Sequence, residues 1–138
     1  MRNTRGWPAK EAPFLVPISA AFAARSKAIR YKTKVFETER LLDESEGRRV
    51  QCLQISCSLF EPQPTHVRLM VRDGGEASLD VRQPSKNGWA FELSFDCHVS
   101  DLSGPEIVAR FEETIAISDE MSRTPTTSAR LRELWAGG

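Results

Sequence analysis

Four stretches in the middle of the chain alternate apolar and polar residues with a period of two. In 48–60, Leu53, Ile55, Cys57 and Leu59 are separated by Gln54, Ser56 and Ser58. In 66–72, Val67, Leu69 and Val71 alternate with His66, Arg68 and Arg72, and in 76–82 Ala77, Leu79 and Val81 alternate with Glu76, Ser78, Asp80 and Arg82. In 89–99, Trp89, Phe91, Leu93, Phe95, Cys97 and Val99 fall on one parity. Successive strand side chains point to opposite faces, so each stretch predicts a strand with one apolar and one polar side. The links agree with this. Asp73-Gly74-Gly75 supplies the positive-φ residues of a tight hairpin, 83–88 carries Pro84 and Asn87-Gly88, and Glu61-Pro62-Gln63-Pro64 cannot continue a ladder. Short links join antiparallel neighbours, so a meander is expected.

A sheet with one apolar face needs a cover. Ser103 and Glu106 have capping-box spacing, with Pro105 in the first turn, and Ile107, Val108, Phe111 and Ile115 then share one helical face. The shared parity of Ile107, Phe111, Ile115 and Ile117 would also suit a strand; the cap favours a helix over 104–117. The alanine-rich stretch 18–28 reads as a short helix. Residues 29–42 read as a strand, with Tyr31, Thr33 and Val35 alternating, turning through 43–47; a continuation of the preceding helix is the alternative. The predicted class is α+β: an antiparallel meander of four or five strands, covered on one face by one or two helices.

The ends read as arms around a single domain over 18–118. Residues 1–17 hold Pro8, Pro13 and Pro17, yet carry Trp7 and Phe14. Residues 119–138 begin polar and end in a two-turn helical stretch, 128–135, with Leu131, Leu134 and Trp135 on one side. So short a helix is marginal alone and needs a surface. Large apolar side chains on arms either fold back on their own domain or dock on a partner, which makes Trp7, Phe14, Leu131, Leu134 and Trp135 the candidate partner-binding residues.

Charge adds a second candidate. Residues 1–40 hold nine Lys/Arg against three Asp/Glu, and 41–138 hold ten against sixteen, so a basic front balances an acidic body. Within 25–34, Arg25, Lys27, Arg30, Lys32 and Lys34 surround Tyr31, a pattern that suits an anionic partner such as nucleic acid, or the chain's own acidic body. No recognised nucleic-acid motif accompanies it.

The chemistry-bearing residues are sparse. His66 and His98 both fall on polar faces, but in a meander they lie about 20 Å apart, too far to share a metal. Cys97 and His98 point to opposite faces. Cys52 shares a face with His98 and could meet it only if the long strands 48–60 and 88–100 were neighbours. Asp80, Glu92 and Asp96 face Arg68, Arg72 and Arg82 as ordinary cross-strand ion pairs. Gly74-Gly75 lacks the flanking residues of a phosphate loop. No catalytic residue, metal or cofactor is expected.

Three cysteines suggest a reducing compartment, hence the cytoplasm. The apolar stretch 13–24 has the Ala21-Phe22-Ala23 pattern of a secretory cleavage site, but Pro13 and Pro17 interrupt it and Glu11 precedes it. No apolar run reaches eighteen residues, so integral membrane association is not expected. The sequence points to a non-catalytic protein-interaction module, a small subunit or adaptor of a larger protein assembly docking through its arms. A nucleic-acid-binding protein using 25–34 is the alternative, and a small enzyme with a pocket between sheet and helix the third. The oligomeric state is left open.

Overall fold

A computed structural model describes residues 12–28, 36–45, 48–59, 65–85, 88–118 and 127–136. The elements run α1 (Leu15–Ala28), β1 (Phe36–Ser45), β2 (Arg48–Leu59), β3 (Thr65–Arg72), β4 (Glu76–Ser85), β5 (Gly88–His98), α2 (Gly104–Ser118) and α3 (Thr127–Ala136). The five strands form one antiparallel sheet in the order β1-β2-β3-β4-β5, the expected meander and an α+β fold.

The register lines the apolar positions into rows across the sheet. Leu53 faces Val71, Val71 faces Ala77, and Ala77 faces Cys97. Parallel rows run through Ile55, Leu69, Leu79 and Phe95, and through Cys57, Val67, Val81 and Leu93. Except for Phe95, which is partly buried and packs against it, these residues share one buried cluster with Leu15, Ile18 and Phe22 of α1, Ile107, Val108, Phe111 and Ile115 of α2, and Leu131 and Trp135 of α3. A one-residue slip would turn every row to the other face, so burial fixes the register.

Several boundaries depart from the sequence reading. α1 begins at Leu15, inside the segment read as an arm, because Leu15 is fully buried and Pro17 sits in the first turn, where helix amides have no intrahelical acceptor. β1 runs to Ser45, so Asp43, Glu44 and Ser45 pair with β2 instead of turning. Tyr31, Thr33 and Val35, which suggested an earlier strand, lie outside the described residues. β4 continues to Ser85, and the register shifts between Gln83 and Pro84, where proline lacks a ladder donor.

α2 is a helix, and its cap is the one read from the sequence. The Glu106 amide donates to Ser103 Oγ at 3.2 Å and the Ser103 amide donates to Glu106 Oε1 at 3.1 Å. Those bonds hold the Glu106 carboxyl below its ordinary range. At the same end α1 and α2 approach closely. A Cβ on Gly104 would stand 2.6 Å from the Pro17 carbonyl oxygen and 3.0 Å from Ala21 Cβ. Gly104→Val is expected to force the helices apart at a cost of about 1–3 kcal/mol. Urea unfolding checks it, and an unchanged midpoint would mean that α1 shifts freely over α2.

Candidate interaction surfaces

The sheet face opposite the main cluster carries the polar rows. Ser56, Arg68, Asp80 and Ser94 form one, and Ser58, His66, Arg82 and Glu92 the next. Side chains along them pair with each other. Arg68 Nη2 donates to Asp80 Oδ2 at 2.8 Å and Arg68 Nε to the same oxygen at 3.2 Å. Arg82 Nε lies 3.5 Å from Glu92 Oε1, and Ser58 Oγ is 2.8 Å from His66 Nδ1. The sequence-read ion pairs are therefore in place for Asp80 and Glu92.

Burial pushes the Asp80 carboxyl up, but hydrogen bonds from Ser94 and Arg68 and the charges of Arg68 and Arg82 outweigh it and leave the group below its ordinary value of 3.8. A carboxylate depressed by folding stabilises the fold above its unfolded pKa and loses that contribution as pH falls through its folded pKa. With Arg68 41% exposed, solvent screening keeps the contribution small. Asp80→Asn is expected to cost about 0.2–1 kcal/mol near neutral pH. The gap from wild type should close in acid well below 3.8. Chemical unfolding of both proteins at the two pH values tests this; a gap that widens in acid would reverse the assignment.

The same face also holds a small apolar cluster that the period-two reading did not show. Leu41, Val50 and Cys52 are buried there, with Met70 packed against them. Leu41 faces Cys52 in the β1–β2 register, so β1 presents an apolar residue on the otherwise polar side.

The catalytic arrangements weighed in the sequence do not assemble. β3 and β4 lie between β2 and β5, which puts Cys52 three strand spacings, about 14 Å, from the strand of His98. His66 faces Arg82 and His98 faces Glu76, at opposite ends of β4. Cys97 lies on the inward face with its thiol pushed up to about 11, by burial first and then by Asp96, against the opposing charge of Arg110. Such a thiol is protonated at neutral pH and a poor nucleophile. Among the described residues, no group of three or more His, Cys, Asp or Glu side chains is placed to hold a metal ion. Among them also, no helix is long and apolar enough to cross a membrane.

Of the candidate docking residues, Trp7 lies outside the described residues. Phe14 and Leu134 are partly buried against the main cluster, and Leu131 and Trp135 belong to it at 0% and 1% exposure. The Trp135 indole Nε1–H donates to Thr114 Oγ1 at 2.8 Å, and Thr114 Oγ1 donates in turn to the Arg110 carbonyl at 2.8 Å. The apolar side of the C-terminal helix is thus committed to its own domain, the first of the two readings weighed for the arms. Thr114→Val would keep the shape and strand the indole donor, at a cost of about 1–3 kcal/mol. Pairing it with Trp135→Phe, which removes that donor, should restore part of the loss; additive losses in the urea-unfolding cycle would show that the bond carries no weight.

Of the basic stretch, Arg25 is described most fully. Its Nε donates to Glu112 Oε1 at 3.0 Å and its Nη2 to Oε2 at 2.9 Å, binding the basic front to the acidic second helix. Lys27 falls in the last turn of α1, and Arg30, Tyr31, Lys32 and Lys34 lie outside the described residues.

Gln83, read as the start of a turn, is instead fully buried. Its Nε2 donates to the Ser118 carbonyl at 2.6 Å and to Thr65 Oγ1 at 3.2 Å, tying the end of α2 to β3 and β4. Its polarity hid this role. No protein-family model, curated protein or solved structure matches the chain.

Proposed function

We propose that this chain is a non-catalytic protein-interaction module, a small subunit or adaptor of a larger protein assembly. The observation that carries the reading is the division of the sheet into two sides. The buried side chains of all three helices join the cluster on one face, while the other face presents rows of mutually paired charged and hydroxyl side chains. Such ion pairs contribute little to stability on an exposed surface, yet their arrangement sets which partner surface is complementary.

Because Leu131 and Trp135 are built into the core, docking on this reading uses the sheet side of the domain and the segment around Trp7, not the apolar side of α3. The thiol chemistry supports the non-catalytic part, since Cys97 is held protonated and Cys52 sits far from the strand of His98.

The test is affinity capture with the full-length chain from its native cells, followed by reconstitution of the captured protein with purified chain. A complex of fixed stoichiometry, weakened when Arg68 and Arg82 are both reversed to glutamate, is the expected result. A chain that forms no reconstitutable complex would end the proposal.

A further inference from the structure

Among the described residues, β5 is the last strand of the sheet and pairs with β4 on one side only. The hydrogen bonding shows which of its backbone groups face outward. The Val99 amide donates to the Gly75 carbonyl at 2.9 Å. Successive residues of an antiparallel strand turn their amides and carbonyls to opposite sides. The odd residues of β5 therefore bond to β4, and Ser94, Asp96 and His98 turn their N–H and C=O groups to the open edge.

Along that edge runs a groove of about 370 Å³, lined by Phe95, Asp96, Cys97 and His98 of β5 and by Arg132 and Trp135 of α3. Side chains of four consecutive strand residues point alternately to the two faces, so a groove that touches all four follows the edge of the strand. Its volume falls within the range of ligand-binding clefts. Its helix side is cationic. The Arg132 guanidinium lies 5.1 Å over the Phe95 ring. Arg110 Nη1 is buried without a hydrogen-bond partner among the described residues, and the Arg110 charge reaches the Cys97 thiol in the groove lining. Asp96, the one carboxylate among the described lining residues, belongs to the row of Ser78 on the opposite face of the sheet.

We propose that this groove takes an extended segment of a partner protein, added beside β5 as a sixth strand, with a carboxylate of that segment on the helix side near Arg132. The outward N–H and C=O groups of Asp96 and His98 supply the ladder, apolar side chains of the segment meet Phe95, and the Arg132 guanidinium selects the carboxylate. Strand addition of this kind draws affinity from the backbone and specificity from alternate side chains. The proposal rests on the protein-interaction reading and gives it a site and a partner chemistry.

The probes are fluorescein-labelled ten-residue peptides of alternating threonine and valine, with blocked ends and one central glutamate, glutamine or lysine at a valine position. Full-length chain is expected to bind the glutamate peptide best, with glutamine about tenfold weaker and lysine weaker still. Arg132→Glu should remove that order. Asp96→Pro deletes an amide that points away from β4, so the internal ladder is kept and peptide binding is lost. Should that variant unfold, wild-type chain supplies the second readout: bound peptide should slow amide hydrogen exchange at Asp96 and His98.

Binding that is indifferent to the central residue, or that leaves Asp96 and His98 unprotected, overturns the proposal. So does a concentration-dependent dimer abolished by Asp96→Pro, which would assign the edge to a second copy of the chain. A captured partner that still binds Asp96→Pro and Arg132→Glu would sink the groove and leave the interaction-module reading standing.

Discussion

Trp135→Ala is expected to lower the unfolding free energy by about 3–5 kcal/mol, among the largest losses any single substitution here should cause. The indole is the largest fully buried side chain among the described residues and is anchored by its hydrogen bond to Thr114. α3 is only ten residues long, too short to hold a helix unaided in water. Losing its anchor should therefore release the helix as well as empty a cavity. Urea unfolding would show the lower stability, and limited proteolysis near residue 127 would show the released helix. A loss below about 1 kcal/mol would mean that α3 adds little to the core. Deletion of residues 119–138 to test for partner docking would uncover Leu131's and Trp135's sites in the core. A binding defect in such a deletion would report damage to the domain, so point variants on the surface are the sounder tool.

The second large effect is expected at the α1–α2 contact. Phe111 is fully buried and meets Phe22 edge to face, with centroids 5.5 Å apart and planes at 88°. Phe111→Ala should cost about 3–5 kcal/mol through lost burial and an unfilled cavity. The aromatic pair adds about 0.5–1.5 kcal/mol beyond its area. A double-mutant cycle with Phe22→Ala should show coupling of that order, because each truncation already removes the shared contact. Strict additivity of the two losses would place the rings in independent environments and contradict the packing described. The bidentate Arg25–Glu112 pair lies between the same two helices and is partly exposed, so its removal should matter far less.

How much of the fold is legible in the sequence follows from which signals are local. β2 to β5 were legible because period-two alternation and turn residues are both written in short windows, and the Ser103–Glu106 cap settled α2 against a strand of equal parity. β1 was less legible. Its ten residues include Glu37, Glu39, Arg40, Asp43 and Glu44, and Leu41 and Leu42 are adjacent, so no alternation marks it. Its existence depends on pairing with β2, which is a non-local fact.

The destination of the C-terminal helix was illegible for a related reason. Leu131, Leu134 and Trp135 announce a face that needs a partner, and sequence cannot say whether that partner is foreign or the chain's own second helix. Thr114, which receives the indole hydrogen bond, looks like any threonine on a helix. Gln83 and the outer-face cluster around Cys52 were hidden likewise, one by its polarity and the other by the polar residues around it. The groove beside β5 needed the strand order, since only a terminal strand has an edge to offer.

The measurement that bears most directly on the central claim is the native size of the untagged chain, by gel filtration of a gentle lysate with mass-spectrometric detection. The 15.5 kDa chain is expected to elute well above its own mass, together with another protein at a constant ratio across the peak. Elution of all the chain at the monomer position, unaccompanied at low and at moderate salt, would contradict it.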